Sequence, residues 1–166
     1  MAKKNKDGKK TRKEAPARGA LSSALTLAAR SLRTVLSRNL LDSGLYAGQD
    51  GVILALAESG PMTPGALALR LGVKAPTMTR TIVRLEAQGF VSRQDDEGDG
   101  RAVQVRLTDA GLASVDAIGE CIGQTEAQAA DGLDGKEIRQ LVKLLRKVDS
   151  NLVADREPGL EEKRRN

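Results

Sequence analysis

The 166-residue chain has no histidine and no tryptophan, and only one cysteine, one tyrosine and one phenylalanine. Each scarcity removes a class of function. Without histidine there is no Ser-His-Asp or Cys-His nucleophile, and no imidazole to ligate a metal. With Cys121 alone, no intrachain disulfide can form. Cys121 follows Glu120 and has no nearby Lys or Arg to hold a thiolate, so it reads as an inert structural thiol. No P-loop and no GxGxxG follows a strand-like run. The expectation is a protein that is not an enzyme, with no catalytic residue, no metal and no cofactor. Because Tyr46 and Phe90 are the whole aromatic complement, the core must be built from Leu, Ile, Val and Ala, which suits close helix packing. The longest apolar run, residues 52–57, falls far short of the ~18–20 residues of a membrane helix. No apolar segment follows the basic N-terminus, so no secretory signal is expected. A bacterial cytoplasmic protein with no membrane partner is the natural reading.

The net charge of +5 is unevenly placed. Residues 1–18 carry eight Lys or Arg against Asp7 and Glu14, a net +6. The remainder carries nineteen basic and twenty acidic groups, a net −1. Any anion-binding face of the folded part must therefore be positive by arrangement rather than by total. Residues 1–19 lack periodicity and are expected to be a disordered basic tail. That tail reads equally well as a phosphate-binding arm or as a solubilising segment. Residues 155–166, with Pro158-Gly159, read as a flexible charged tail. One domain, residues 20–154, lies between the tails.

The middle of that domain, residues 63–108, organises the rest. Thr63-Pro64 starts a short helix with Thr as N-cap and Pro where a missing N–H costs nothing. Leu67, Ala68 and Leu71 give it an apolar face, and Gly72 suits the position past its end. A second helix follows over residues 75–88. At about 100° per residue, Met78, Ile82 and Leu85 share one face and Thr77, Arg80, Thr81, Arg84 and Gln88 another. Gly89 ends it. The period then becomes two. Residues 90–94 are β-prone, and residues 101–107 alternate, with Val103, Val105 and Leu107 on one face and Gln104 and Arg106 on the other. The polar stretch 95–100 joins them as a hairpin loop. Asp95, Glu97 and Asp99 resemble the opening of a calcium loop. However, the twelfth position is Arg106, where a bidentate Glu is needed.

A helix pair followed by a β-hairpin is a winged helix-turn-helix, whose second helix can enter a major groove by its polar face. An ordinary amphipathic helix shares the periodicity. The uncharged Thr residues around Arg80, the glycine turn and the hairpin favour DNA binding over it.

The flanking segments are helical. Residues 20–41 place Leu21, Leu25, Ala28, Leu32, Val35 and Leu36 in one stripe. Residues 49–58 form a helix with Val52, Ile53, Leu56 and Ala57 buried. A long helix is expected over residues 109–130, capped by Thr108-Asp109, with Leu112, Val115, Ile118 and Ile122 inward. Asp134 to Glu137 reads as a capping box with Asp in place of Ser or Thr. The last helix carries Ile138, Leu141, Leu145, Val148 and Leu152 in a coiled-coil-like seam expected to pair with the first helix. The fold class is thus mainly α with a small β-hairpin wing: a winged helix-turn-helix core over about 48–108, plus helical dimerisation regions over about 20–41 and 109–154.

The segment TPGALALRLGVKAPTMTRTIVRLEAQGFVSR, the wing tip Asp99-Gly100-Arg101 and the run Leu107-Thr108-Asp109-Ala110-Gly111 resemble the MarR family of bacterial transcription regulators. The resemblance extends more weakly over residues 20–154. It implies a homodimer with outer helices from both chain ends packed together. It implies a recognition helix beginning near Lys74, and a wing arginine, Arg101, that enters the minor groove with Asp99 orienting it. Two positions depart from the family pattern. Gly100 stands where a second arginine is frequent, and Lys74-Ala75 stands where a Ser or Thr N-cap is common. The DNA-contacting set is then Lys74, Thr77, Thr79, Arg80, Thr81, Arg84, Asp99 and Arg101. The dimerisation set is Leu21, Leu25, Leu32, Ile138, Leu141, Leu145, Val148 and Leu152. The family's small-molecule effectors bind between dimer helices and winged helix, where Arg33, Asn39 and Tyr46 are the candidates. Peroxide-sensing relatives keep their reactive cysteine in the first helix, which has none here.

The expected function is a dimeric, sequence-specific transcription regulator on double-stranded DNA with a near-palindromic operator, a repressor released by a small-molecule effector. Two alternatives stand beside it: a nonspecific nucleoid-type DNA binder, and a winged helix used as a protein-interaction module.

Overall fold

The computed structural model describes residues 17–95 and 103–154. Its elements are α1 (Ala20–Asn39), α2 (Gln49–Ser59), α3 (Pro64–Arg70), α4 (Ala75–Ala87), β1 (Val91–Asp95), β2 (Val103–Leu107), α5 (Asp109–Ala113), α6 (Val115–Ala129) and α7 (Gly135–Ala154). A single 3-10 turn, Leu41–Ser43, links α1 to the loop before α2. The basic N-terminal segment through residue 16, the wing tip at residues 96–102 and the C-terminal segment from residue 155 lie outside the described residues.

The core is aliphatic, as the aromatic scarcity requires. Leu40, Leu45, Val52, Ile53, Leu56, Leu67, Met78, Ile82, Leu85, Val91, Val105 and Ile118 are buried together. Each such side chain contributes roughly 1.5–3 kcal/mol by leaving water. Met78, Ile82 and Leu85 seat α4 on this core by the face its periodicity marks. In α2 the buried alanine is Ala55, and Ala57, expected inside, is exposed. Ala57 lies two positions after Ala55, about 200° round the helix, so the two face opposite sides.

The wing is an antiparallel pair with Val91 opposite Leu107 and Arg93 opposite Val105. Met62, just before α3, adds a third line to it. Its N–H donates to the Val105 carbonyl and its carbonyl accepts from the Val105 N–H, at 3.1 and 2.9 Å. The wing is therefore tied to the start of the helix pair as well as to α4.

Three expectations are corrected beyond the wing. The helix expected over residues 109–130 is two helices. Ser114 donates its hydroxyl to the Gly111 carbonyl at 2.7 Å, a local competition that bends helices, and α5 ends there. Leu112 points outward, 62% exposed. On a straight helix it would lie about 120° from Ile118 in any case. Ile118 is fully buried, Val115 and Ile122 pack against the core as expected, and Gly111, Cys121 and Thr125 are buried beside them.

The seam of α7 does not pack on α1 of the same chain. No residue of α7 through Val153 is buried, and Leu141, Leu145 and Leu152 are exposed. Between α1, α6 and α7 an apolar hollow of about 550 Å³ is left open, bordered by Leu25, Leu32, Val35, Leu141 and Leu145. The capping box at the start of α7 is present as read. Asp134 Oδ1 accepts from the N–H groups of Lys136 and Glu137 at 2.7 and 2.8 Å, and Glu137 Oε2 accepts from the Asp134 N–H at 3.0 Å.

Candidate nucleic-acid interface

The helix pair is built as its local chemistry dictates. Thr63 Oγ1 accepts from the Ala66 N–H at 3.2 Å and Pro64 occupies the first turn, so α3 starts without orphan donors at those positions. Gly72, at φ +63°, supplies the left-handed turn that only glycine adopts freely. The Val73 N–H closes that turn onto the Ala68 carbonyl at 3.0 Å. Lys74 is the extended residue before α4, and its side chain makes no capping bond.

With Met78, Ile82 and Leu85 inward, the opposite face of α4 meets solvent. Lys74, Thr77, Thr79, Arg80 and Arg84 are exposed and Thr81 is half-buried, so the described part of the proposed DNA-contacting set sits on one element. Among the described residues no ion pair involves Lys74, Arg80 or Arg84. The acid of α4, Glu86, faces the wing and pairs with Arg93 at 3.3 Å. Arg70, at the end of α3, is engaged by Glu58 and Ser59. The cations left on this face are those of α4, which gives a positive surface on a chain whose folded part is near neutral. Asp99 and Arg101 lie outside the described residues.

Two of the three threonines, Thr79 and Thr81, are not arranged as simple base-edge donors. Thr79 donates its hydroxyl to the Ala75 carbonyl at 3.0 Å, and Thr81 donates to the Thr77 carbonyl at 3.1 Å. Gln88, expected on the same polar face, is exposed but tied down by hydrogen bonds. It donates to the Gly44 carbonyl at 2.8 Å and accepts from buried Gln49 at 2.7 Å, which locks the end of α4 to the loop before α2. Two residues of the outer face were not singled out from the sequence. Pro76 is exposed one turn before Arg80, and Val83, 48% exposed, follows three residues after it. Their helical spacing places them on this face, but neither carries the polar group that marks a nucleic-acid contact in a sequence.

Thr108 joins the wing to the helix that follows. Its hydroxyl oxygen accepts from the Gly111 N–H at 3.1 Å while its O–H donates to the Gly89 carbonyl at 2.6 Å. Gly111 lies so close to the Phe90 carbonyl that an added Cβ would collide with backbone. The end of α4, the end of β2 and the start of α5 are thereby fixed to one another.

A crevice of about 640 Å³ opens beside α4, between α1 and α2. Arg33 lines it, together with Arg30, Asp50, Thr77, Thr81 and apolar groups including Leu36, Leu71 and Met78. Arg33 Nη2 donates to the Ala47 carbonyl at 2.9 Å and lies across Gly48, which has φ +104°. The other two effector candidates are elsewhere. Asn39 Nδ2 donates to Thr125 Oγ1 at 2.9 Å and joins α1 to α6. Tyr46 is 58% exposed and does not line the crevice. Cys121 is buried in the Asn39 junction, where its thiol donates to the Asn39 carbonyl at 3.1 Å.

A sequence model of the MarR family matches residues 48–102. A helix-turn-helix-type transcriptional regulator of Mycobacterium leprae is 40% identical over 97 residues, covering 58% of this chain and 68% of that protein. Among solved structures, the transcriptional regulator SlyA superposes with a TM-score of 0.76 at 25% identity, over 82% of this chain and 96% of that one. A mutant of E. coli MarR complexed with operator DNA gives 0.72 at 27% identity, over 77% and 92% of the two chains. BpsR of Bordetella bronchiseptica, a protein whose DNA binding is regulated by 6-hydroxynicotinic acid, gives 0.72 at 27% identity, over 78% and 98%. The winged helix and the helices around it match as a set, and the chain belongs to the MarR family of winged helix-turn-helix transcription regulators.

Proposed function

We propose that the chain is a homodimeric, cytoplasmic repressor that binds a near-palindromic operator and is released by a small-molecule effector. The observation that carries this reading is the outer face of α4, where Lys74, Arg80 and Arg84 stand exposed without acidic partners among the described residues. Core residues hold that helix from behind, so the face is presented rigidly. Phosphate contacts would supply affinity and Arg80 the base contact, since an arginine can bond a guanine edge by two hydrogen bonds. The wing residues Asp99 and Arg101 complete the proposed set.

Two further features support the rest of the proposal. In the isolated protomer α1 has no buried residue, and α7 has none through Val153, which suits a second copy. The crevice beside α4 is of ligand size and touches both α1 and the proposed DNA-reading helix, so its occupant could bias their relative position. BpsR and the operator-bound MarR give the precedents for effector and DNA. No helix among the described residues is long and apolar enough to cross a membrane.

The test is selection of duplexes from a random pool by the purified protein, followed by competition at moderate salt. A recovered inverted repeat that outcompetes random DNA by a hundredfold or more supports the proposal. Equal competition by random DNA would replace it with a nucleoid-type binder, and the absence of any DNA binding would leave a protein-interaction module.

A further inference from the structure

We infer that α4 carries an apolar strip, Pro76, Thr79 and Val83, that reads the C5-methyl groups of thymines beside the base contacted by Arg80. The inference rests on the proposed DNA-binding role of this helix and adds the chemistry of the bases that it selects. Pro76, Thr79 and Val83 are spaced i, i+3 and i+7, so they share one face of the helix. All are exposed, and Val83 is 48% so. Thr79 joins the strip because its hydroxyl proton is given to the Ala75 carbonyl. Its methyl group, not a donor, is then what the side chain offers outward. Pro76 has no N–H to offer at all. Three residues in a row thus present a ring, a methyl and an isopropyl group.

Arg80 borders this strip on the side toward Arg84, and Lys74 stands at its N-terminal end. An apolar strip flanked by cations with no acidic partner among the described residues suits an occupant that is apolar at its floor and anionic at its walls. The major groove is such a surface: phosphates line it, and among the bases thymine alone presents a methyl group there. A protein partner would instead meet three cations that need acidic residues at the rim. The double back-bonding of Thr79 and Thr81 also lowers the number of donors available for adenine or guanine edges. Selectivity by α4 then rests on one guanidinium and on shape against methyl groups.

The experiment replaces each thymine of the selected operator, one at a time, by deoxyuridine, which keeps pairing and removes only the methyl group. Binding is read by fluorescence anisotropy for wild type, Val83→Ala, Val83→Thr and Pro76→Ala. Wild type should lose about fourfold in affinity at one or more thymines of each half-site, the share of one buried methyl group. Val83→Ala or Pro76→Ala should bind the unmodified operator more weakly and show no further loss on that replacement. Val83→Thr, which keeps the branched shape, should lose less than Val83→Ala. Thermal melting should be unchanged, because these side chains contribute little to the core. Wild type that binds the operator specifically yet tolerates every deoxyuridine within twofold would overturn the inference alone. A methyl dependence that survives both alanine variants would also overturn it, by assigning the effect to DNA shape. Failure of the earlier competition against random DNA is a different result, and overturns the regulatory reading itself.

Discussion

Arg80 is exposed on the outer face of a helix whose inner face is fixed by Met78, Ile82 and Leu85. A guanidinium so placed can bond a guanine or a phosphate, and the two roles separate by measurement. Arg80→Ala is expected to cost ~1–3 kcal/mol on the selected operator and much less on random duplex. Equal losses on both would make Arg80 a phosphate contact. Gly111 shows the opposite kind of constraint. It has no ligand to touch, but the Phe90 carbonyl occupies the place of a Cβ. Backbone cannot yield as a flexible side chain does. Gly111→Ala should therefore destabilise the fold by roughly 2–3 kcal/mol in denaturant titration. An unchanged midpoint would mean that α5 can slide away from the wing at no cost. The run Leu107 to Gly111 carries the family resemblance partly for this reason: Thr108 caps, Gly89 accepts, and Gly111 lets the two backbones meet.

Elements show which parts of the sequence were legible. The helix pair was readable because several independent signals agree at each boundary: Thr63-Pro64, Gly72, Gly89, and apolar residues at the helical period between them. The α7 capping box was equally plain, since Asp134 and Glu137 act within four residues. What stayed hidden depended on contacts between distant segments or on small and polar groups facing inward. The inner stripe of α6 contains Cys121 and Thr125, which a search for large apolar residues does not weigh. Asn39, an effector candidate by the family resemblance, bonds Thr125, 86 residues away. These residues form a junction between α1 and α6, in which Thr125 accepts from Asn39 and donates to the Cys121 carbonyl, while Cys121 donates to the Asn39 carbonyl. Thr125→Val keeps the shape and removes the hydroxyl, leaving the part-buried Asn39 amide without that acceptor. A loss of ~1–3 kcal/mol in unfolding free energy is expected, with no change in DNA contacts. A denaturation midpoint equal to wild type would show that water replaces the hydroxyl there.

At the scale of the whole molecule, the unpaired surfaces of α1 and α7 set the argument. Each helix is 20 residues long, about 30 Å, and neither buries a residue within the protomer over the residues described, α1 throughout and α7 through Val153. Leu21, Leu32, Leu141, Leu145 and Leu152 are exposed, while Leu25, Ile138 and Val148 are only half-buried. A stable monomer seldom leaves so continuous an apolar surface in water. The open hollow between α1, α6 and α7 has the apolar lining that a second copy would fill. A twofold axis through that region would set two α4 helices about one DNA turn apart, roughly 34 Å, and so require an inverted repeat in the operator. Leu145 borders the hollow but is 41% exposed in the protomer, so an aspartate there costs the isolated fold little and a dimer much. Leu145→Asp is therefore expected to sediment as a folded monomer at micromolar concentration, where wild type is expected to sediment as a dimer. Its affinity for the full operator should fall toward that for a half-site, by tenfold or more, because the second half-site no longer binds as part of the same unit. Wild type that sediments as a monomer and binds one half-site as tightly as the full repeat would overturn the dimeric arrangement, while leaving the chemistry of α4 to stand on its own tests.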